Sequence, residues 1–139
     1  MNKMIRLVIA DDNPHARHGL RAVLASQPGI EVVGESSHGK EAIALVETMH
    51  PDVALLDVRM PIIDGLEATR LIKSRWQGIK VILLSMYAFY EEEAWTSGAD
   101  AFLVKGCPAD ELISTILGTN PTKSIKQERT RENHSSKKI

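Results

Sequence analysis

Five short apolar runs, each followed by a stretch with the period of a helix, constrain this chain more than any other feature of its 139 residues. The runs occupy positions 7–10, 31–34, 53–56, 81–84 and 101–104. Nearly all are hydrophobic throughout rather than alternating, as expected of strands covered on both faces in a parallel sheet. Between them apolar residues recur three and four positions apart. Ala16, Leu20, Val23 and Leu24 form one stripe, Ala42, Leu45, Val46 and Met49 a second, and Ala68, Leu71 and Ile72 a third. A fourth and weaker helix is predicted over 90–97, with Glu91, Glu92 and Glu93 near its start and Gly98 as its stop. A fifth opens on Pro108 in its first turn and directs Leu112, Ile113, Ile116 and Leu117 to the core. This alternation predicts an α/β fold, a doubly wound sheet of five parallel strands with helices on both sides. Right-handed crossovers leave few arrangements, and the strand order 2-1-3-4-5 is the expected one.

The length supports one core, assigned to residues 1–118. From Thr119 to Ile139 the composition turns to Thr, Asn, Ser, Lys, Arg and Glu, with Ile125 the one apolar residue before the terminus, so residues 119–139 are expected to be a disordered tail or a severed linker. Charge divides at the same place. The tail carries six basic and two acidic residues, and the body eleven basic and sixteen acidic. An acidic body argues against direct nucleic-acid binding by the globular part. No apolar stretch approaches the roughly 20 residues of a membrane span, and no signal-peptide core follows Met1, so the expected location is the cytoplasm with no membrane partner. The single cysteine, Cys107, has no internal partner and no metal-ligand spacing, and is expected to be small packing.

The chemistry is written at the ends of the runs. The residues that follow them are Asp11 with Asp12, then Glu35 after Gly34, then Asp57, Ser85 and Lys105. Asp57 is followed at once by Met60-Pro61 and Asp64-Gly65, a turn signal. Taken singly, each residue has a plain explanation. Asp12 or Asn13 before Pro14 reads as a helix N-cap, Asp57 as a turn cap, Ser85 as a polar strand end, and Lys105-Gly106 as a surface loop. In the predicted order, however, all but the Glu35 end share one rim, the carboxyl edge where open α/β sheets bind ligands. Carboxylates from adjacent strands one and three repel one another unless a cation neutralises them. A hard divalent ion such as Mg²⁺ suits an open site of oxygen ligands. Beside it a carboxylate can attack a phosphoryl group while a hydroxyl and an ammonium contact the transferred oxygens, and Asp57, Ser85 and Lys105 supply those groups.

With these motifs the chain from about residue 4 to residue 117 resembles a response-regulator receiver domain of bacterial two-component signalling. The resemblance implies a phosphorylation-dependent switch, not a turnover enzyme, with Asp57 as phosphoacceptor and a phosphohistidine on a sensor histidine kinase as donor. It implies that Asp12 and Asp57 hold Mg²⁺ directly, that Asp11 helps through water, and that the backbone carbonyl of Arg59 is a further ligand. Ser85 and Lys105 would bind the phosphoryl oxygens, and Phe102, three residues before the lysine, would report the switch to the face of helix four, strand five and helix five. The chain departs from many receivers in placing Gly106 and Cys107 between the lysine and Pro108, so no cis-proline is expected. Arg59 and Tyr87, each two residues past Asp57 and Ser85, would screen attacking water and lengthen the phosphoryl lifetime, while Met86 narrows access. The wording around Asp57 and over 106–112 is most similar to receivers of the LuxR/NarL type. The expected role is therefore the regulatory part of a transcription regulator whose DNA-binding part lies outside this chain. A standalone receiver or phosphorelay intermediate is the alternative, and a homodimer formed on phosphorylation is left open. Two other classes compete. A haloacid-dehalogenase-like phosphatase would need an Asp-x-Asp spacing that Asp11-Asp12-Asn13 breaks. A flavodoxin-like cofactor binder would need a phosphate cradle where this chain puts two acids.

Overall fold

The computed structural model describes residues 3–118. Five strands, β1 (Ile5–Ala10), β2 (Ile30–Ser36), β3 (Val53–Asp57), β4 (Lys80–Ser85) and β5 (Ala101–Val104), pair in parallel in the order β2-β1-β3-β4-β5. Helices α1 (Pro14–Ala25), α2 (Gly39–Met49), α3 (Gly65–Arg75), α4 (Glu91–Ser97) and α5 (Ala109–Leu117) make the crossovers, and a single 3₁₀ turn, Ala88–Tyr90, precedes α4. Fold class and strand order are those expected from the sequence.

The sheet separates two cores, which is why its strands are apolar at successive positions. Val8, Ala10, Leu56, Val81, Leu83 and Phe102 face α2, α3 and α4, where Val46, Ala68, Ile72 and Ala94 meet them. The intervening Leu7, Ile9, Leu55, Ile82, Leu84 and Leu103 face the other way, onto Leu24, Leu112 and Ile116 of α1 and α5. Every residue of β3 is buried.

Four sequence expectations shift. Val23 and Leu117, predicted to face the core, lie 36% and 40% exposed, because Leu24 and Ile116 already fill the seams of their short helices. Pro108 stands one residue before α5, at the N-cap, rather than in the first turn. Glu35 is not beyond the second strand but inside it, since β2 runs on to Ser36 with a register shift opposite Leu7 and Val8. The fourth helix begins at Glu91, with Tyr90 in the 3₁₀ turn. The tail expected over 119–139 lies outside the described residues.

Helix starts are set by side chains that accept the first free N–H groups. Asn13 Oδ1 accepts from His15 and Ala16, His38 Nδ1 from Glu41, and Asp64 Oδ1 from Glu67. Helix α4 has no such side-chain cap and is only seven residues long, holding to the fold through buried Ala94 and Ser97. Two glycines permit close approach. A Cβ on Gly65 would stand 2.1 Å from the carbonyl oxygen of Asp57, and one on Gly39 would stand 1.9 Å from that of Ile63. Only glycine lets α3 start directly beneath the end of β3.

Candidate functional site

The carboxyl edge of the sheet gathers the expected residues. Asp11 follows β1 directly, Asp57 and Ser85 are the last residues of β3 and β4, and Lys105 is the first after β5. The Lys105 N–H donates to the Ser85 carbonyl at 2.8 Å, continuing the ladder one step past β5. From this position Lys105 Nζ reaches back over the sheet, lying 2.8 Å from Asp11 Oδ2 and 3.2 Å from Asp57 Oδ2. One ammonium therefore ties the ends of β1, β3 and β5. Asp12, Asp57, Arg59, Ser85, Tyr87 and Lys105 border a shallow cavity of about 330 Å³ above these groups.

Electrostatics strain this arrangement. One carboxylate oxygen each from Asp11, Asp12 and Asp57 lies within 4.8 Å of the others. Burial, and next the charge of Asp11, push the Asp57 carboxyl up from 3.8 to about 6, with Lys105 pulling it back down. Burial alone would lower the Lys105 pKa, but the nearby Asp11 and Asp57 carboxylates hold it above its ordinary value, so the ammonium stays charged. One cation against three carboxylates leaves the site short of positive charge. Asp11 Oδ2 is buried and accepts no hydrogen bond of good geometry, its close partner being the Lys105 ammonium. A cluster of hard oxygen donors from three carboxylates that share one ammonium fits a divalent cation.

The surrounding groups are placed as follows. Ser85 is buried, and its Oγ accepts from the Tyr87 N–H at 3.0 Å, which leaves the hydroxyl proton available to donate. The Arg59 guanidinium lies 6.0 Å over the Tyr87 ring, so these side chains meet across the cavity mouth. Tyr87 also stacks on Phe89 at 5.3 Å, and Met86 and Phe89 are exposed beside them. Met86, although exposed, also lines the cavity at its edge. Phe102 is buried on the α4 side of the sheet. Cys107 is half-buried, and burial followed by the charge of Glu111 pushes its thiol up, away from nucleophilic use at neutral pH.

Two features went unread in the sequence. Arg17, in the first turn of α1, donates Nη1 to the backbone carbonyl of Asp11 at 2.6 Å and pairs with Glu35. A signal was present, since Arg17 and Arg21 lie one turn apart on one helix face and Glu35 was the strand-end residue without a role. Ile62, in the loop after β3, is held at φ 72° and 70% exposed, a conformation that β-branched residues seldom adopt and that nothing in the sequence foretells.

Among the described residues no helix is long and apolar enough to cross a membrane. Comparison with known proteins agrees with the fold. The transcriptional regulatory protein DegU of Brevibacillus brevis is 39% identical over 114 residues, covering 81% of this chain and 48% of that protein. The response regulator protein VraR of Staphylococcus aureus is 35% identical over 123 residues, covering 87% of this chain and 59% of VraR. The chain thus spans about half the length of the curated relatives it matches. Among solved structures, a LuxR-family two-component response regulator from Aurantimonas sp. SI85-9A1 superposes with a TM-score of 0.80 at 27% identity, covering 94% of this chain and 99% of that one. A LuxR-family DNA-binding response regulator from Staphylococcus aureus gives a TM-score of 0.78 at 29% identity, covering 84% and 99%. None of these favours the phosphatase or the cofactor binder. Residues 7–117 match the response regulator receiver domain, and the chain belongs to that family of phosphorylation-dependent signalling switches.

Proposed function

We propose that this receiver domain accepts a phosphoryl group on Asp57 from the phosphohistidine of a sensor histidine kinase. The observation that carries the reading is the Lys105 ammonium set between Asp11 and Asp57 at 2.8 and 3.2 Å, at the mouth of three strands. In the transfer an Asp57 carboxylate oxygen forms a bond to phosphorus as the P–N bond breaks, and the bonding pair leaves with the imidazole, which departs as the neutral ring because its other nitrogen carries a proton. Asp57 must be ionised to attack. Burial opposes that and Lys105 favours it. The Ser85 hydroxyl and the Lys105 ammonium are the donors for the transferred oxygens. Asp12 and Asp57 would hold Mg²⁺ directly, with Asp11 through water and the Arg59 carbonyl as a further ligand, and the ion would supply charge neutralisation for the phosphoryl oxygens.

The product adds about −1.5 to −2 charges at Asp57 by analogy with other phosphorylated side chains, enough to draw Ser85 and Lys105 inward. Phe102, buried on β5 beside the strand that ends in Ser85, is the group through which that movement reaches α4, β5 and α5. Arg59 and Tyr87 screen the acyl phosphate from water and lengthen its life. The similarity to DegU, named a transcriptional regulatory protein, and to VraR, named a response regulator, supports a wider role as the regulatory part of a transcription regulator, which we place in the cytoplasm and read as a switch with no turnover of substrate. Intact mass after incubation with acetyl phosphate and Mg²⁺ tests the reading. One phosphoryl adduct is expected on the wild type and none on Asp57→Ala; no adduct, or one that persists in the variant, overturns it.

A further inference from the structure

Arg17 borders no part of the cavity, yet it grips the cavity's wall. Its Nη1 donates to the Asp11 carbonyl at 2.6 Å, and its Nε lies 3.3 Å from Glu35 Oε1 on β2. Arg21, one turn along α1, takes the other oxygen of Glu35. The side chains of Arg17 and Glu35 are 18% and 19% exposed, so the pair is packed between α1 and β2.

The atom that Arg17 holds decides its role. The Asp11 carbonyl belongs to the peptide that leads into Asp12. Residue 11 is pinned elsewhere too, its N–H donating to the Ser36 carbonyl at 3.1 Å and its Oδ1 accepting from the Asn13 N–H at 2.9 Å. The Asp12 carboxylate, by contrast, is exposed and makes no hydrogen bond or ion pair among the described residues. With no partner of its own, it depends on its backbone for where its Cα–Cβ bond starts. We infer that Arg17, held by Glu35, is a positioning residue that fixes the Asp11–Asp12 peptide and so aims the Asp12 carboxylate at a divalent cation. This rests on reading Asp11, Asp12 and Asp57 as the cation site.

A charge-only account makes the opposite forecast for one variant. A guanidinium near three carboxylates weakens their pull on a cation, so removing it would tighten binding, while removing the Glu35 charge would weaken binding. Positioning makes both losses weaken it.

The experiment titrates the full chain with Mg²⁺ alone by calorimetry and with Mn²⁺ by electron paramagnetic resonance. The variants are Arg17→Gln, Arg17→Lys and Glu35→Gln, with Leu24→Val as a control that loosens α1 from the core. Supports of metal ligands change affinity by about 10- to 100-fold, so Arg17→Gln is expected to bind about tenfold more weakly and Glu35→Gln severalfold more weakly. Arg17→Lys keeps the charge and a donor but loses the two-sided fork, and should fall between wild type and Arg17→Gln. Leu24→Val should stay within about twofold of wild type, and acetyl phosphate labelling of the Arg17 and Glu35 variants should recover at saturating Mg²⁺. Unchanged or tighter binding in Arg17→Gln overturns the inference, as does an equal loss in Leu24→Val. A loss in Arg17→Gln with none in Glu35→Gln overturns the part given to Glu35. A wild type that binds neither ion overturns the cation site itself, whereas a wild type that binds and variants that bind equally well overturn only the brace.

Discussion

Asp57 pays twice for its position, once in lost hydration and once in repulsion from Asp11, and both push its carboxyl from 3.8 to about 6. The sign follows from linkage. The folded chain holds this proton more tightly than the unfolded chain, so the metal-free fold is most stable below pH 4 as far as Asp57 is concerned, and loses that contribution as pH rises towards 6. The shift corresponds to roughly 3 kcal/mol, of which solvent screening at the open face leaves about 1–2 kcal/mol. Asp57→Asn is therefore expected to stabilise the metal-free chain by about 1–2 kcal/mol at pH 7 and by little near pH 4, as read by urea denaturation at both values. A destabilised or pH-indifferent variant would remove the electrostatic account. Residues like this were legible because their type conflicts with their place: a carboxylate at the end of a buried run demands an explanation, and Asp11, Ser85 and Lys105 demand the same one. Arg17 escaped because it acts on a backbone carbonyl, and no side-chain pattern names the atom it grips. Ile62 escaped because a positive φ in a β-branched residue contradicts local preference.

At the scale of elements, the site depends on how closely α3 follows β3. The helix starts eight residues after Asp57, and Gly65 touches the very carbonyl of Asp57. A methyl group there meets backbone, not a yielding side chain. Gly65→Ala should cost about 3 kcal/mol or displace the loop that carries Arg59 and Met60, lowering the midpoint of urea unfolding and slowing acetyl phosphate labelling together. A substitution without effect on either would mean that α3 can slide freely from the sheet. The glycine was legible from sequence only as part of an Asp-Gly turn, since the contact it permits arises between segments brought together by the crossover. Strands and the longer helices were legible because burial on both faces leaves continuous apolar runs and one-sided burial leaves stripes. Where burial is partial the pattern blurs, and so Val23 and Leu117 read as core although the seams were already full.

In the whole molecule, the sheet isolates one packed layer from the other, and the layers are unequal. The face of α1 and α5 is packed around Leu24, Leu112 and Ile116. On the opposite face α2 and α3 each have eleven residues and side-chain caps, while α4 has seven and none. Nucleating so short a helix is unfavourable, and only its packing against α3 and β5 keeps it wound. Its hydrogen bonds should break and reform without the rest of the fold opening. Amide hydrogen exchange followed by mass spectrometry should accordingly find residues 91–97 exchanging well ahead of α2 and α3, with β3 the slowest. Protection of α4 equal to that of α3 would count against this. The consequence for a switch is one of populations: a segment beside Phe102 that opens by itself needs no new conformation from phosphorylation, only a change in how often it visits the open one.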